Sequence, residues 1–138
     1  MKTTSFTQVV ASVLLMALAT NCQVLHASSC QAEGVTRTVL QQHDIDVPGK
    51  DTVQDIVDFG PGTTFPRHTH PGEEVIYILD GLLEYQIDGK PAVTLKAGDV
   101  FFVPAGVVHS VRNLGNSSGS ELATYILEKG QPPVTCVQ

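Results

Sequence analysis

Basic residues are scarce in this chain. Lys and Arg total 8 against 14 Asp and Glu, a formal charge of -6 over 138 residues. Nowhere do the cations cluster, which argues against a nucleic-acid partner, because neutralising phosphates takes Lys and Arg in concentration. Like charges run together no further than Glu73-Glu74, so there is no charged tail. No Gly-rich phosphate loop is present, which removes nucleotide chemistry. Nor does any uncharged apolar run reach the about 20 residues of an ordinary bilayer crossing. Disorder is excluded in turn, since 42% of the residues are hydrophobic and many are β-branched. A length of 138 residues leaves room for one domain.

The apolar run at residues 9–19 follows Lys2 and fits the hydrophobic region of a secretory signal peptide. Small residues offer cleavage after Ala27, or earlier after Ala19. The expectation is a leader over residues 1–27 and one domain over 28–138, exported to the periplasm or secreted, with no membrane contact once the leader is gone. Cleavage after Ala27 discards Cys22 and leaves Cys30 and Cys136 at opposite ends. In an oxidising compartment such a pair is a disulfide candidate. Closing a loop of roughly 100 residues contributes about 4 kcal/mol in the chain-entropy model. Two other readings stay open: unpaired thiols on frayed ends, or a lipid-modified Cys30 after Ala27-Ser28-Ser29.

Beyond the leader no window sustains a capped helical pattern. Short β-rich runs separated by Gly and Pro appear instead, at residues 36–41, 52–59, 74–79, 82–87, 91–95, 100–103, 108–113 and 122–127. Asp88-Gly89 is a hairpin signal. Such spacing indicates an all-β sandwich or barrel.

The chemistry is concentrated in His68-Thr69-His70, with Glu74 four residues on. Residues two apart on a strand face one way, so both imidazoles enter one space, and Pro71-Gly72 turns the chain so that Glu74 re-enters it. A third imidazole, His109, follows the turn Pro104-Ala105-Gly106. Imidazole with carboxylate suits Fe, Mn, Ni, Cu or Zn. Calcium and magnesium prefer oxygen shells, and structural zinc more often takes thiolates. Four ligands in an apolar cavity leave coordination positions open for water or substrate.

These residues fall into two spaced patterns. Gly62, His68, His70, Glu74 and Gly81 satisfy G-x5-H-x-H-x3-E-x6-G, and Gly98, Pro104, Gly106, His109 and Asn113 satisfy G-x5-P-x-G-x2-H-x3-N. Over residues 62–113 the chain thereby resembles the cupin superfamily. The resemblance implies a small antiparallel jelly-roll β-barrel, a single cupin domain, with His68, His70, Glu74 and His109 as metal ligands. Pairing of two copies through outer sheets is also implied, and the apolar strand at residues 75–79 allows it.

Further roles follow by strand parity. Ile76 and Ile78 share the phase of Glu74 and are expected, with Val103 and Val108, to wall a substrate pocket. Arg67 and Glu73 should face solvent, and Asn113 should secure a turn or strand end. The expected function is that of an exported metal-dependent dioxygenase-like oxidoreductase on a small phenolic or enolic molecule, with Glu74 also serving as base. A non-redox lyase or isomerase and a non-catalytic small-molecule or metal-binding module are the alternatives. The few candidates for acid-base partners are Tyr85, Gln86, Ser110 and Arg112.

Overall fold

The computed structural model describes residues 30–137. The expected leader, with Cys22, lies outside the described residues. Within them the chain forms ten strands: β1 (Val35–Asp44), β2 (Lys50–Phe59), β3 (Thr64–Thr69), β4 (Gly72–Asp80), β5 (Leu82–Ile87), β6 (Val93–Lys96), β7 (Val100–Val103), β8 (His109–Asn113), β9 (Gly119–Glu128) and β10 (Thr135–Cys136). They make two five-stranded sheets, ordered β1-β2-β9-β4-β7 and β10-β3-β8-β5-β6, with antiparallel pairing throughout. This is the all-β architecture that the punctuated runs imply, in the jelly-roll form implied by the resemblance to cupins. The added elements are β3, broken in the sequence by Pro66 and charge, and β10, only two residues long.

Strand alternation decides what each sheet buries. On β4, Gly72, Glu74, Ile76 and Ile78 face inward, while Val75, Tyr77 and Leu79 face out. Its neighbour β9 turns Glu121, Ala123, Tyr125 and Leu127 inward. Phe59, Leu83, Tyr85, Val103 and Val111 complete the packing between the sheets. Arg67 lies on the outside, ion-paired with Asp88 at a solvated position that contributes little to stability.

Two glycines permit close backbone approach. A Cβ at Gly72 would lie 1.8 Å from the carbonyl oxygen of Ile126, so only glycine lets β4 begin against β9. Gly81 has φ +83°, and a Cβ there would meet the Gly119 Cα at 2.6 Å. Asn113 is fully buried and fastens three segments. Its Nδ2 donates to the carbonyls of Phe59, Gly60 and Ser117 at 3.0, 3.0 and 2.8 Å, and its Oδ1 accepts from the Gly115 amide at 2.8 Å.

The ends of the described chain are joined by a Cys30–Cys136 disulfide, the first of the three readings left open for those thiols, with a sequence separation of 106. Cys136 is paired in register with His68, which places the cross-link one strand from the histidine cluster.

Replacing Asn113 with Ala removes all four of these hydrogen bonds and empties a fully buried site. Urea unfolding should show a loss on the order of 3 kcal/mol. A variant as stable as the parent would contradict this account of the clamp.

Candidate metal centre

The centre forms where the two sheets face each other. His68 on β3 and His109 on β8 are direct cross-strand partners in one sheet. A bulge between Phe65 and His68 sets their register: β3 spends three residues where β8 spends two. The extra residue turns His68 inward while Arg67 points out. Glu74 enters from β4 in the opposite sheet, paired with Tyr125 of β9. His70 lies just past the end of β3, and its carbonyl accepts the Gly106 amide at 2.9 Å. That bond ties the turn before His109 to the loop carrying His70.

All four side chains are buried, none more than 4% exposed. Candidate donor atoms of the three imidazoles lie within 4.8 Å of one another. Each ring is oriented by a backbone carbonyl: Nδ1 of His68 meets Pro66 O at 2.7 Å, Nδ1 of His70 meets Pro133 O at 2.7 Å, and Nδ1 of His109 meets Val107 O at 3.0 Å. A carbonyl only accepts, so each Nδ1 carries the proton and each Nε2 keeps its lone pair. The Nε2 atoms of His70 and His109 are each 3.3 Å from Oε2 of Glu74, and none of these three atoms has a hydrogen-bond partner. Lone pairs and a carboxylate converging without a proton between them repel one another, and buried polar atoms are rarely left so. A divalent cation in their midst removes both penalties. The donor set fits a first-row transition ion.

The local electrostatics point the same way. Burial, together with His109 and His70, pushes the His68 imidazole down to about 3, so it is neutral and free to ligate at neutral pH. Burial opposes ionisation of Glu74, and only positive charge at His109 and His70 would outweigh it and hold the carboxyl below the usual range; with both rings neutral, a bound cation is what would supply that charge.

Around the histidines is a cavity of about 20 Å³, lined also by Arg37, Val57, Phe59, Phe65, Val111, Glu121, Tyr125 and Val134. One water needs about 10–15 Å³ on this measure, so the space takes the head of a ligand but not a bulky body. The expected pocket walls lie elsewhere: Ile76, Ile78 and Val103 are in the core, and Val108 is half-buried and outside the lining. The reason is depth. Ile76 and Ile78 lie progressively further along β4 from Glu74, so sharing its face does not bring them to the histidines.

The polar residues beyond the ligands also differ from those expected. Gln86 donates to the carbonyls of Ile87 and Lys90, and Arg112 is exposed. Ser110 faces away from the cavity on half-buried backbone, and only Tyr85 is engaged near the centre, through Glu121. Arg37, Glu121 and Tyr125 are the residues sequence reasoning missed. Arg37 pairs with the buried Asp55 and stands 5.2 Å over the Tyr125 ring. Arg37 also borders a second, larger cavity of about 250 Å³ that runs past Asp55 to the loop at Gly130 and Pro133.

The link between His70 and Pro133 makes the C-terminal segment part of the centre. Reducing the Cys30–Cys136 bond, or replacing Cys136 with Ser, should free that carbonyl and weaken binding of added Zn or Mn by about tenfold, the usual scale for losing a partner that orients a ligand. Calorimetric titration with and without reductant measures it, and unchanged affinity would detach the disulfide from the site.

Comparison with known proteins agrees with the geometry. The cupin-domain family model matches residues 55–126. Over 74 residues the chain is 39% identical to germin-like protein subfamily 2 member 2 of Arabidopsis thaliana, covering 50% of this chain and 34% of that protein. Over 68 residues it is 44% identical to the oxalate-binding protein of Thermotoga maritima, covering 49% of this chain and 55% of that one. The structure of oxalate oxidase in complex with the substrate analogue glycolate aligns at a TM-score of 0.60 and 25% identity, over 75% of this chain and 55% of the other. The chain thus spans about a third to a half of the length of the curated relatives it matches. With the family model extending over more than half of its residues, the chain belongs to the cupin family.

Proposed function

We propose that this cupin holds one divalent transition ion, among Fe, Mn, Ni, Cu or Zn, through His68, His70, His109 and Glu74. On that centre it would bind a small carboxylate or hydroxy acid and act on it as a dioxygenase-like oxidoreductase. The observation that carries the reading is the convergence of His70 Nε2, His109 Nε2 and Glu74 Oε2, buried and without hydrogen-bond partners. The ligand class is supported by size and by kinship. A cavity of about 20 Å³ suits the paired oxygens of a carboxylate better than a phenolic ring. Relatives include an oxalate-binding protein and an oxalate oxidase whose structure contains glycolate.

When bound, the ion supplies Lewis acidity and, if redox-active, a path for electrons. The protein's own residues do the positioning. Carbonyls of Pro66, Val107 and Pro133 fix the three rings, so that the donors meet an incoming ion already oriented. Val57, Phe59, Phe65, Val111 and Val134 line the space with apolar side chains, which lowers the local dielectric and strengthens charge interactions there. Arg37 places a positive charge beside the cavity, suited to an anionic ligand.

Export of the mature domain fits the disulfide, since such bonds persist in oxidising compartments. Pairing of two copies is supported by the outer face of β4 and β7, where Val75 lies opposite Phe102 and Tyr77 opposite Val100, all four exposed.

Protein purified without chelator should carry close to one transition ion per chain by elemental mass spectrometry, and His70→Ala should carry almost none. Folded protein that takes up no ion from any of the five would overturn the proposal. Acid sensitivity gives a second check on the metal-free protein. His68 titrates near 3 when folded and near 6.5 when unfolded, so below 6.5 the unfolded chain binds a proton that the folded one refuses. Stability should therefore fall as pH drops from 6.5 towards 3, and the fall should be shallower in His68→Gln. Urea midpoints across that range measure it, and equal slopes in the two proteins would contradict the assignment.

A further inference from the structure

The larger cavity, of about 250 Å³, lies outside the histidine centre, and Arg37 is the one described residue that borders both spaces. Strands β1, β2 and β9 and the loop at Gly130 wall it. Its rim is exposed at Gln42, Glu128 and Gln131, and its floor is buried at Asp55 and Leu127. Val39, Val53 and Pro133 add apolar sides. The volume is that of about eight waters, room for a small organic molecule.

Asp55 sets this cavity apart. It is 1% exposed, and it borders the larger space but not the small one. A guanidinium paired with a carboxylate often gives one hydrogen to each oxygen. Here Nε and Nη2 of Arg37 both donate to Oδ2. Oδ1 is left buried without a partner, a state that buried polar atoms rarely keep. Asp51 lies on the same face of β2, with Val53 between them. Arg37 answers the charge of Asp55, and Lys50 answers that of Glu128 at 3.1 Å. Among the described residues no cation pairs with Asp51, whose Oδ2 accepts a hydrogen from the neutral Gln42 amide at 2.7 Å.

We propose that this cavity binds a short aliphatic amino alcohol, whose hydroxyl donates to Oδ1 of Asp55 at the floor and whose ammonium pairs with Asp51 nearer the rim. Charge and valence assign the two ends. Asp55 has its counter-charge and lacks a hydrogen, so a neutral donor suits it, whereas an ammonium there would face Arg37. Asp51 lacks a counter-charge. Four residues of strand set the two Cα atoms about 13 Å apart, and a hydrogen bond of about 2.8 Å at each end leaves about 7 Å between the donors. A five-carbon chain spans that gap, with its methylenes along Val39, Val53 and Leu127. A metal ion is a poorer fit, because the carboxylates here do not converge: among the described residues only His68, His70 and His109 form such a group.

Calorimetric titration with 5-aminopentan-1-ol, pentylamine and pentan-1-ol tests the assignment on protein of measured metal content. The amino alcohol should bind at one site per chain. Pentylamine, without the hydroxyl, and pentan-1-ol, without the ammonium, should each bind about tenfold or more weakly, the scale of one hydrogen bond to a charged group. No binding of the amino alcohol, or equal binding by pentylamine, overturns the proposal. Asp51→Asn should weaken the amino alcohol by a similar factor, and unchanged affinity overturns the placing of the ammonium. Zinc-loaded and chelator-stripped protein should bind the amino alcohol equally. Binding that requires the metal would put the amine on the histidine centre and overturn the second site, whereas failure of the metal proposal leaves this result unaffected.

Discussion

The structure depends on one confrontation across its two sheets. Glu74 reaches inward from one sheet, and His68 and His109 reach towards it from the other. Burying a carboxylate and imidazoles without satisfying them costs several kcal/mol in an apolar interior. The packing therefore leaves an electrostatic demand at its centre. A cation bound there would work as a fastener between the sheets as well as a reactive site.

Much of the surrounding architecture serves to hold that confrontation in register. The bulge in β3 gives His68 its inward direction and Arg67 its outward one. Gly72 lets β4 begin hard against the Ile126 carbonyl, which fixes where Glu74 starts. Asn113 bonds three carbonyls and an amide, locking the end of β8 four residues beyond His109. None of these residues touches the donor atoms. Each removes a way for a donor to drift, and displacements well under an ångström are what ligand geometry tolerates.

The sequence made the fold and the four donors legible for a specific reason. His68, His70 and Glu74 sit within seven residues around a Pro-Gly turn, so their convergence follows from local chain geometry, whereas His109, far along the chain on β8, joined them through the resemblance to the cupin spacing. The remainder of the cavity is assembled over long distances. Glu121 adjoins the run 122–127, in which both strand phases are largely apolar, so alternation did not reveal which face was inward. Nothing in the sequence singles out Arg37 within the run 36–41, and its partner Asp55 lies 18 residues away. The expected pocket walls raise a related point: sharing the face of Glu74 says which side Ile76 and Ile78 occupy, not how deep they lie. Tyr85 was among the candidates, but its contact with Glu121 spans 36 residues and two sheets.

The carbonyl of Pro133, which orients His70 from 63 residues further along the chain, has a consequence in time. Chain growth delivers His68, His70, Glu74 and His109 well before it delivers the strand that completes their alignment. The barrel's two inner sheets can therefore assemble around a loosely set histidine, and the centre acquires its final geometry only as the last strand docks and Cys136 meets Cys30. An ion taken up at this centre would then meet a nearly finished interior rather than serve as the nucleus of folding.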